Sequence, residues 1–311
     1  REGRRFVNMV LTREEIETVM GEPAVADPIR VFVGLDTAAE AEDRVDIIMD
    51  ELVRTRAFER KVLCFASPTG SGYINYVAAE SLEYMSLGDC AIVTMQYSML
   101  PSSMSLTRTG LAIEQNRDLM HAITGYLRGM EPEARPRFVL FGESLGALTM
   151  QDIWRRRTVA AMDRDFVHSS IFLGTPSGTE FAKGWRLNPA KVDPEGLMLE
   201  VDNYGEYLDL PEERRSRVRH VLISHHDDPI PKFGTNLLLR QPWWLGPPEA
   251  RPHGIPKSTT WRPGTTFVLT GIDLVNAMDV VPGTFGRRGH DYREDIARFV
   301  SAAYDLPVTA V

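Results

Sequence analysis

The chain has 311 residues, 43% hydrophobic and 25% charged, with a formal net charge of −8. That balance supplies a substantial core and argues against nucleic acid as a partner, since phosphate binding needs a basic surface. It has no run of eighteen apolar residues and no C-x-x-C, and Cys64 and Cys90 sit in apolar strand-like runs. A membrane span within the chain, the usual zinc frameworks and a disulfide are therefore not expected, and the opening residues do not read as a signal peptide.

The opening REGRRFV lacks methionine and carries Arg1, Arg4 and Arg5 close together, as a domain taken from a longer protein would. Residues 1–27 read as an N-terminal extension; a basic segment beside a membrane is one reason for it, an arbitrary boundary the blander one. Strands and helices then alternate at the rhythm of a parallel sheet. Ile29–Gly34 is a strand, followed by a helix over Ala38–Arg56. Lys61–Ala66 is the next strand, with the loop Ser67–Gly72 and a helix from Tyr73 to Met85 after it. Cys90–Met95 is the third strand, with a helix from Thr107 to Arg128, and Arg137–Phe141 the fourth, leading to a helix over Ala147–Arg157. Ser169–Gly174 and Val218–Ser224 continue the sheet, and the last helix runs from Tyr292 to Tyr304. The polar stretch Gly184–Arg217 and the segment Arg240–Pro263, dense in proline, glycine and tryptophan, read as irregular excursions from one α/β domain spanning residues 1–311.

Between the fourth strand and its helix lies Gly142-Glu143-Ser144-Leu145-Gly146, the spacing G-x-S-x-G. A strand reversing directly into a helix strains its turn residue, and the small flanking residues let the backbones pass while the serine hydroxyl stays at the tip. Ser144 is thus a candidate nucleophile, and the chain should then hold a base, an acid and oxyanion donors. The N–H of Leu145, unpaired at a helix start, is one donor. The loop Ser67-Pro68-Thr69-Gly70-Ser71-Gly72 supplies the other through Gly70 or Ser71. As a phosphate loop the same stretch lacks the Gly-Lys-Ser/Thr ending, and a plain loop is the remaining alternative. Thr69, Tyr97 and Glu143 are candidate pocket residues, Tyr97 equally a core tyrosine bonded to backbone.

The acid and the histidine should follow the serine in that order. Val218–Ser224 leads into His225-His226-Asp227-Asp228-Pro229, where Asp227 and Asp228 compete; the following proline favours Asp228. These four adjacent residues also admit a metal site, although neighbours on a strand point oppositely. Of seven histidines only His290 stands late, in a glycine-flanked turn before the last helix, where it would act as the base. Trp243, Trp244 and Trp261 form either a lipid-facing lip or a cover for a sheet edge.

With these residues in place, the chain resembles the catalytic domain of bacterial membrane-anchored α/β-hydrolases, in which this domain follows a transmembrane block. The matching stretches are PIRVFVGL (28–35), PTGSGY (68–73), GDCAIVTMQYSMLPS (88–102), FGESLG (141–146), DPIP (228–231), QPWWL (241–245), TTWRPGTTF (259–267) and GHDY (289–292). The resemblance implies an α/β-hydrolase fold, Ser144, Asp228 and His290 as triad, and attachment to a membrane through a segment outside this chain. It departs from the family at Pro231-Lys232-Phe233, where aromatics are usual, and at Arg287-Arg288, in place of Gly-His, which bears on the pocket rim. The expected activity is serine hydrolysis of an acyl ester, esterase- or lipase-like on a small or lipid substrate and without cofactor or metal. An acyltransferase with the same triad and an inactive binding module are the alternatives.

Overall fold

The computed structural model describes residues 2–98, 109–242, 244–251, 255–277 and 289–306. Residues 99–102 of one matching stretch, the expected helix start at Thr107, Trp243, His253, Arg287 and Arg288 lie outside the described residues.

Seven apolar runs pair side by side as β1 (Ile29–Val33), β2 (Val62–Ser67), β3 (Cys90–Met95), β4 (Arg137–Glu143), β5 (Ser169–Leu173), β6 (Met198–Val201) and β7 (His220–Ile223). Their order is β1-β3-β2-β4-β5-β7-β6, and every pair is parallel. Among the described residues, the helices of seven residues or more are α1 (Glu2–Asn8), α2 (Arg13–Met20), α3 (Ala41–Arg54), α4 (Tyr76–Met85), α5 (Thr109–Arg128), α6 (Leu145–Gln151), α7 (Glu180–Leu187), α8 (Thr265–Ala277) and α9 (Arg293–Tyr304). β2 and β3 are buried along their whole length because both faces are covered. Leu63, Phe65, Leu140 and Phe172 pack under α3, α5 and α6, and Val62, Cys64, Phe141 and Ile171 pack under α1, α4 and α9. This is the α/β architecture expected. Both cysteines are buried and free, and burial pushes the Cys90 thiol up to about 12.

The N-terminal helices are clasped onto the sheet by a buried ion pair. Arg30 on β1 meets Glu83 on α4 through Nε–Oε1 at 2.5 Å and Nη2–Oε2 at 2.8 Å. Its Nη1 donates to the Phe6 carbonyl at 2.9 Å, and Glu83 accepts the Leu11 N–H at 3.2 Å.

Four expectations need correction. The stretch 184–217 is not all irregular: it contains β6, an edge strand whose half-buried Glu200 pairs with Arg186 instead of packing inward. The helix after the serine ends at Gln151, not Arg157, because residues 152–154 tighten into a 3₁₀ turn and Asp152 accepts the N–H groups of Glu180 and Phe181 at the start of α7. α8 was not foreseen: its inward side mixes buried Thr266 and Thr270 with half-buried Phe267 and Leu274, while Val268, Leu269, Ile272 and Val275 are exposed, so its apolar residues do not fall on one face. α4 starts at Tyr76, three residues late, because the Asn75 side chain caps it by accepting from the Val77 N–H at 3.1 Å.

Candidate active site

The parallel register brings the carboxyl ends of β2, β4 and β5 to one edge: Ser67 lies opposite Gly142, and Glu143 opposite Leu173. Ser144 turns the chain there with φ 54° and ψ −123°. That conformation costs a side-chain-bearing residue roughly 1–3 kcal/mol, so the surroundings must enforce it. Its N–H donates to the Leu173 carbonyl at 2.9 Å. The neighbouring glycines permit the turn: a Cβ on Gly146 would lie 2.2 Å from the Ser67 carbonyl oxygen, and one on Gly142 would lie 2.8 Å from the Ala147 nitrogen. Beneath it, Asn116 of α5 donates to Ser67 Oγ at 2.9 Å and to Thr149 Oγ1 at 3.2 Å, and those two hydroxyls are 2.9 Å apart. All three side chains are buried, so the network locks β2, α5 and α6 together under the turn.

The loop after β2 is shaped by its own backbone. Thr69 N–H donates to the Tyr73 carbonyl at 3.0 Å, and Gly72 N–H donates to the Thr69 carbonyl at 2.9 Å. Gln96 Nε2 holds the Ser71 carbonyl at 3.0 Å and the Ser98 carbonyl at 2.8 Å. Among the described residues, no protein acceptor takes the N–H of Gly70, Ser71 or Leu145.

Past β7, Asp228 is fully buried in a turn fixed by Lys232, whose Nζ donates to the carbonyls of His225 (3.1 Å) and Asp228 (2.9 Å). Asp228 Oδ1 accepts the Ile230 N–H at 2.8 Å. Oδ2 lies 2.8 Å from His290 Nδ1 and accepts the Tyr292 hydroxyl at 2.5 Å. A carboxylate here requires the proton on His290 Nδ1, which fixes the tautomer. Gly174, one residue past the acceptor of the Ser144 N–H, has φ +52° and presses on the histidine. A Cβ there would lie 2.4 Å from His290 Cε1 and 3.0 Å from Asp228 Oδ2. The residue pair chosen from the sequence is thus brought together, and it is set against the strand end that holds the serine.

The electrostatics are coupled. Burial would lower the His290 pKa, but the charge and hydrogen bond of Asp228, then the charges of Glu143 and Asp291, hold it above the ordinary value. Burial would raise Asp228, but His290 and the hydrogen bonds from His290, Tyr292 and Ile230 hold it below the usual carboxylate range. Glu143 is buried beside the site and pushed up by desolvation; its carboxylate meets only Asn75 Nδ2, at 3.3 and 3.2 Å, among the described residues.

Asp227 is exposed and takes a supporting place, accepting the Gly289 N–H at 2.9 Å. His225 stacks on Tyr292 with ring centroids 4.2 Å apart and bonds the Gly289 carbonyl through Nδ1 at 2.9 Å, whereas His226 pairs with Asp202 at 3.3 Å. Each of the four adjacent residues weighed as metal ligands is thus engaged by a protein group: His225 and Asp227 by Gly289, His226 by Asp202, and Asp228 by His290 and Tyr292. Tyr97 is buried, but among the described residues its hydroxyl has no partner, so the backbone-bonded reading fails and no hydrogen bond ties it to the site. Thr69 is half-buried with its N–H engaged by Tyr73. Trp244 and Trp261 donate from Nε1 to the carbonyls of Lys232 (3.2 Å) and Leu237 (3.0 Å), stapling the excursion beside the acid turn.

Sequence reasoning missed four residues that shape the site: Asn75, Gln96, Asn116 and Tyr292. Only Tyr292 had a signal, standing two residues beyond the histidine in GHDY.

Residues 29–309 match the model of the alpha/beta-hydrolase family. No curated protein matches the sequence. Among solved structures, a cutinase-like protein from Cryptococcus sp. is similar over 56% of this chain and 80% of that chain, with 15% identity and a TM-score of 0.31.

Proposed function

The chain belongs to the alpha/beta-hydrolase family, and we propose that it is a serine hydrolase that cleaves acyl esters through Ser144, His290 and Asp228. The observation that carries this reading is the fully buried Asp228 held 2.8 Å from His290 Nδ1, beside the strand end that fixes the strained Ser144 turn. In the first half-reaction Ser144 Oγ bonds to the ester carbonyl carbon while its proton passes to His290 Nε2. The carbonyl oxygen becomes an oxyanion held by the Leu145 N–H and by Gly70 or Ser71 N–H. Collapse breaks the acyl–oxygen bond; the alcohol leaves with the proton from His290, and the acyl group stays on Ser144. Water then attacks the acyl-enzyme with His290 again as base, releasing the acid and restoring the serine. Asp228 holds the Nδ1–H tautomer and stabilises the imidazolium in both halves.

Hydrolysis of a p-nitrophenyl ester panel of increasing acyl length tests this. Turnover is expected in the native chain and is expected to vanish in Ser144→Ala with the fold intact. Turnover that persists in that variant, or none with any ester, would remove the reading.

A further inference from the structure

The amino ends of the central strands carry a row of basic residues. Lys61 precedes β2, Arg137 opens β4, His168 precedes β5 and Arg219 precedes β7, and these four strands are neighbours in the sheet. Ladder bonds hold the row in step. The Arg137 N–H donates to the Lys61 carbonyl at 2.9 Å, the His168 N–H to the Phe138 carbonyl at 2.8 Å, and the Ser170 N–H to the Arg219 carbonyl at 3.0 Å. Together with Arg135 these residues line a cavity of about 600 Å³, within the roughly 300–1,000 Å³ of small-molecule sites. Arg137 opens β4 and Ser144 follows its other end, so the cavity lies at the edge of the sheet away from the candidate active site.

Charge and shape select the ligand. One carboxylate, Asp163, lines the cavity; it pairs with Arg219 at 3.0 Å, and exposed Asp305 pairs with Arg137 at 3.3 Å. Lys61 and Arg135 have no acidic partner among the described residues, which leaves two positive charges uncompensated in a chain of net charge −8. Other acids stand near without lining the cavity: Asp89 accepts the Lys61 backbone N–H, Asp165 accepts from Trp154 Nε1, and Glu131 and Glu133 are exposed on either side of Pro132. His168 registers which sign prevails. After burial, the charges of Arg137 and Arg219 lower its pKa, ahead of the opposing charges of Asp305 and Asp163.

Arg135 is held ready for an anion. Its Nε donates to the Leu127 carbonyl at 2.8 Å and its Nη2 to the Met130 carbonyl at 2.9 Å, while no protein acceptor takes Nη1 among the described residues. A guanidinium fixed in this way offers N–H groups to an oxyanion with little further loss of side-chain freedom. Phe166 supplies an apolar wall. It is half-buried, with Arg135 Cζ 4.8 Å and Arg128 Cζ 5.7 Å from its ring centroid. Its φ of 59° is a conformation that bulky side chains rarely adopt, and strain of this kind collects at ligand sites.

We propose that this cavity binds a small phosphate monoester, with the phosphate among Lys61, Arg135 and Arg219 and a flat apolar body against Phe166. A phosphate monoester carries about two negative charges near pH 7, which match the two uncompensated cations; a monocarboxylate carries one. The site stands apart from Ser144 and does not depend on the chemistry assigned there.

Isothermal titration calorimetry with phenyl phosphate, inorganic phosphate and phenylacetate tests this. The native chain is expected to bind phenyl phosphate at one site, more tightly than the other two, with affinity falling as salt rises. Lys61→Ala with Arg219→Ala should weaken phenyl phosphate by about tenfold or more, in keeping with the loss of charged hydrogen bonds. Both side chains are solvent-exposed, whereas Arg135 and Arg137 tie backbone carbonyls, so this pair should keep native circular dichroism and melting. Phe166→Gly permits the same φ and removes the ring, so it should keep inorganic phosphate binding and lose the preference for phenyl phosphate. Ser144→Ala should bind as the native chain does. No binding by the native chain, undiminished affinity in the Lys61/Arg219 variant, or phenylacetate bound as tightly as phenyl phosphate would overturn the proposal. Binding lost in Ser144→Ala would overturn it too, by placing the ligand at the other edge of the sheet.

Discussion

His290 and Tyr292, two residues apart, both hydrogen-bond the same oxygen of Asp228: Oδ2 lies 2.8 Å from His290 Nδ1 and 2.5 Å from the Tyr292 hydroxyl. The tyrosine hydroxyl also accepts the His225 N–H at 3.3 Å, so it links the acid turn to the base turn. Tyr292 is a positioning residue in the proposed mechanism, acting on His290 through Asp228.

Tyr292→Phe should lower kcat/KM by about ten- to a hundredfold, in line with roughly 1.5–3 kcal/mol for a hydrogen bond to a charged group. Without that donor Asp228 becomes a stronger acceptor for His290, so the acid limb of the pH profile should move to higher pH. A loss of activity with an unmoved limb would reduce Tyr292 to a packing residue.

The ionisation directions also fix the native pH behaviour. His290 is held above its ordinary 6.5, so kcat/KM should rise with pH through a midpoint above 6.5, as the imidazole loses its proton and becomes a base. Stability runs the other way. The pair's contribution through His290 is fully present below 6.5 and is lost as pH rises through the folded value. Its contribution through Asp228 is present above 3.8 and lost as pH falls through that group's lowered folded value. Activity measured across pH 4–9 and denaturant midpoints across pH 2–9 check both; an activity midpoint below 6.5 would contradict the assignment of His290.

Asp228→Asn should reduce kcat by about 10⁴-fold, because an amide no longer enforces the Nδ1–H tautomer. Asp227→Asn removes a surface charge but keeps an amide oxygen that can accept the Gly289 N–H, so its effect should be far smaller. Steady-state kinetics of the two variants decide between neighbours that the sequence left in competition, and equal losses would reverse the choice.

Gly174→Ala introduces a methyl group 2.4 Å from His290 Cε1, at a φ that alanine resists. Displacing the ring by about 1 Å should reduce kcat by about 10²-fold or more, while the chain still folds. Native kcat in this variant would show that the histidine need not sit where the structure holds it.

Glu83→Gln addresses the clasp on the N-terminal helices. It leaves the Arg30 guanidinium buried without its counter-charge, which should destabilise the fold by about 3–5 kcal/mol. Thermal melting of this variant checks it; an unchanged Tm would mean that α1 and α2 contribute nothing to the sheet.

Six of the seven strands, and the turns that carry Ser144, Asp228 and His290, were legible because each depends on local signals: an apolar run, a turn residue, a G-x-S-x-G spacing. β6 was not, since its four residues set two half-buried positions between two buried ones inside a polar stretch, and Glu200 finds its partner, Arg186, fourteen residues earlier. α8 hid for the opposite reason: its apolar residues are spread over both sides, Phe267 and Leu274 half-buried and Val268, Leu269, Ile272 and Val275 exposed, so no single inward stripe marks it. Asn116 and Asn75 shape the site through contacts spanning 33 to 68 residues, and no local pattern encodes those.

The central claim is that Ser144 is the nucleophile activated by His290, and peptide mapping after reaction with a fluorophosphonate probe tests it most directly. The account requires one phosphonylated serine, Ser144, in the native chain, no adduct in Ser144→Ala, and labelling slowed by orders of magnitude in His290→Ala. An adduct on another serine, or native labelling rates without His290, would contradict it.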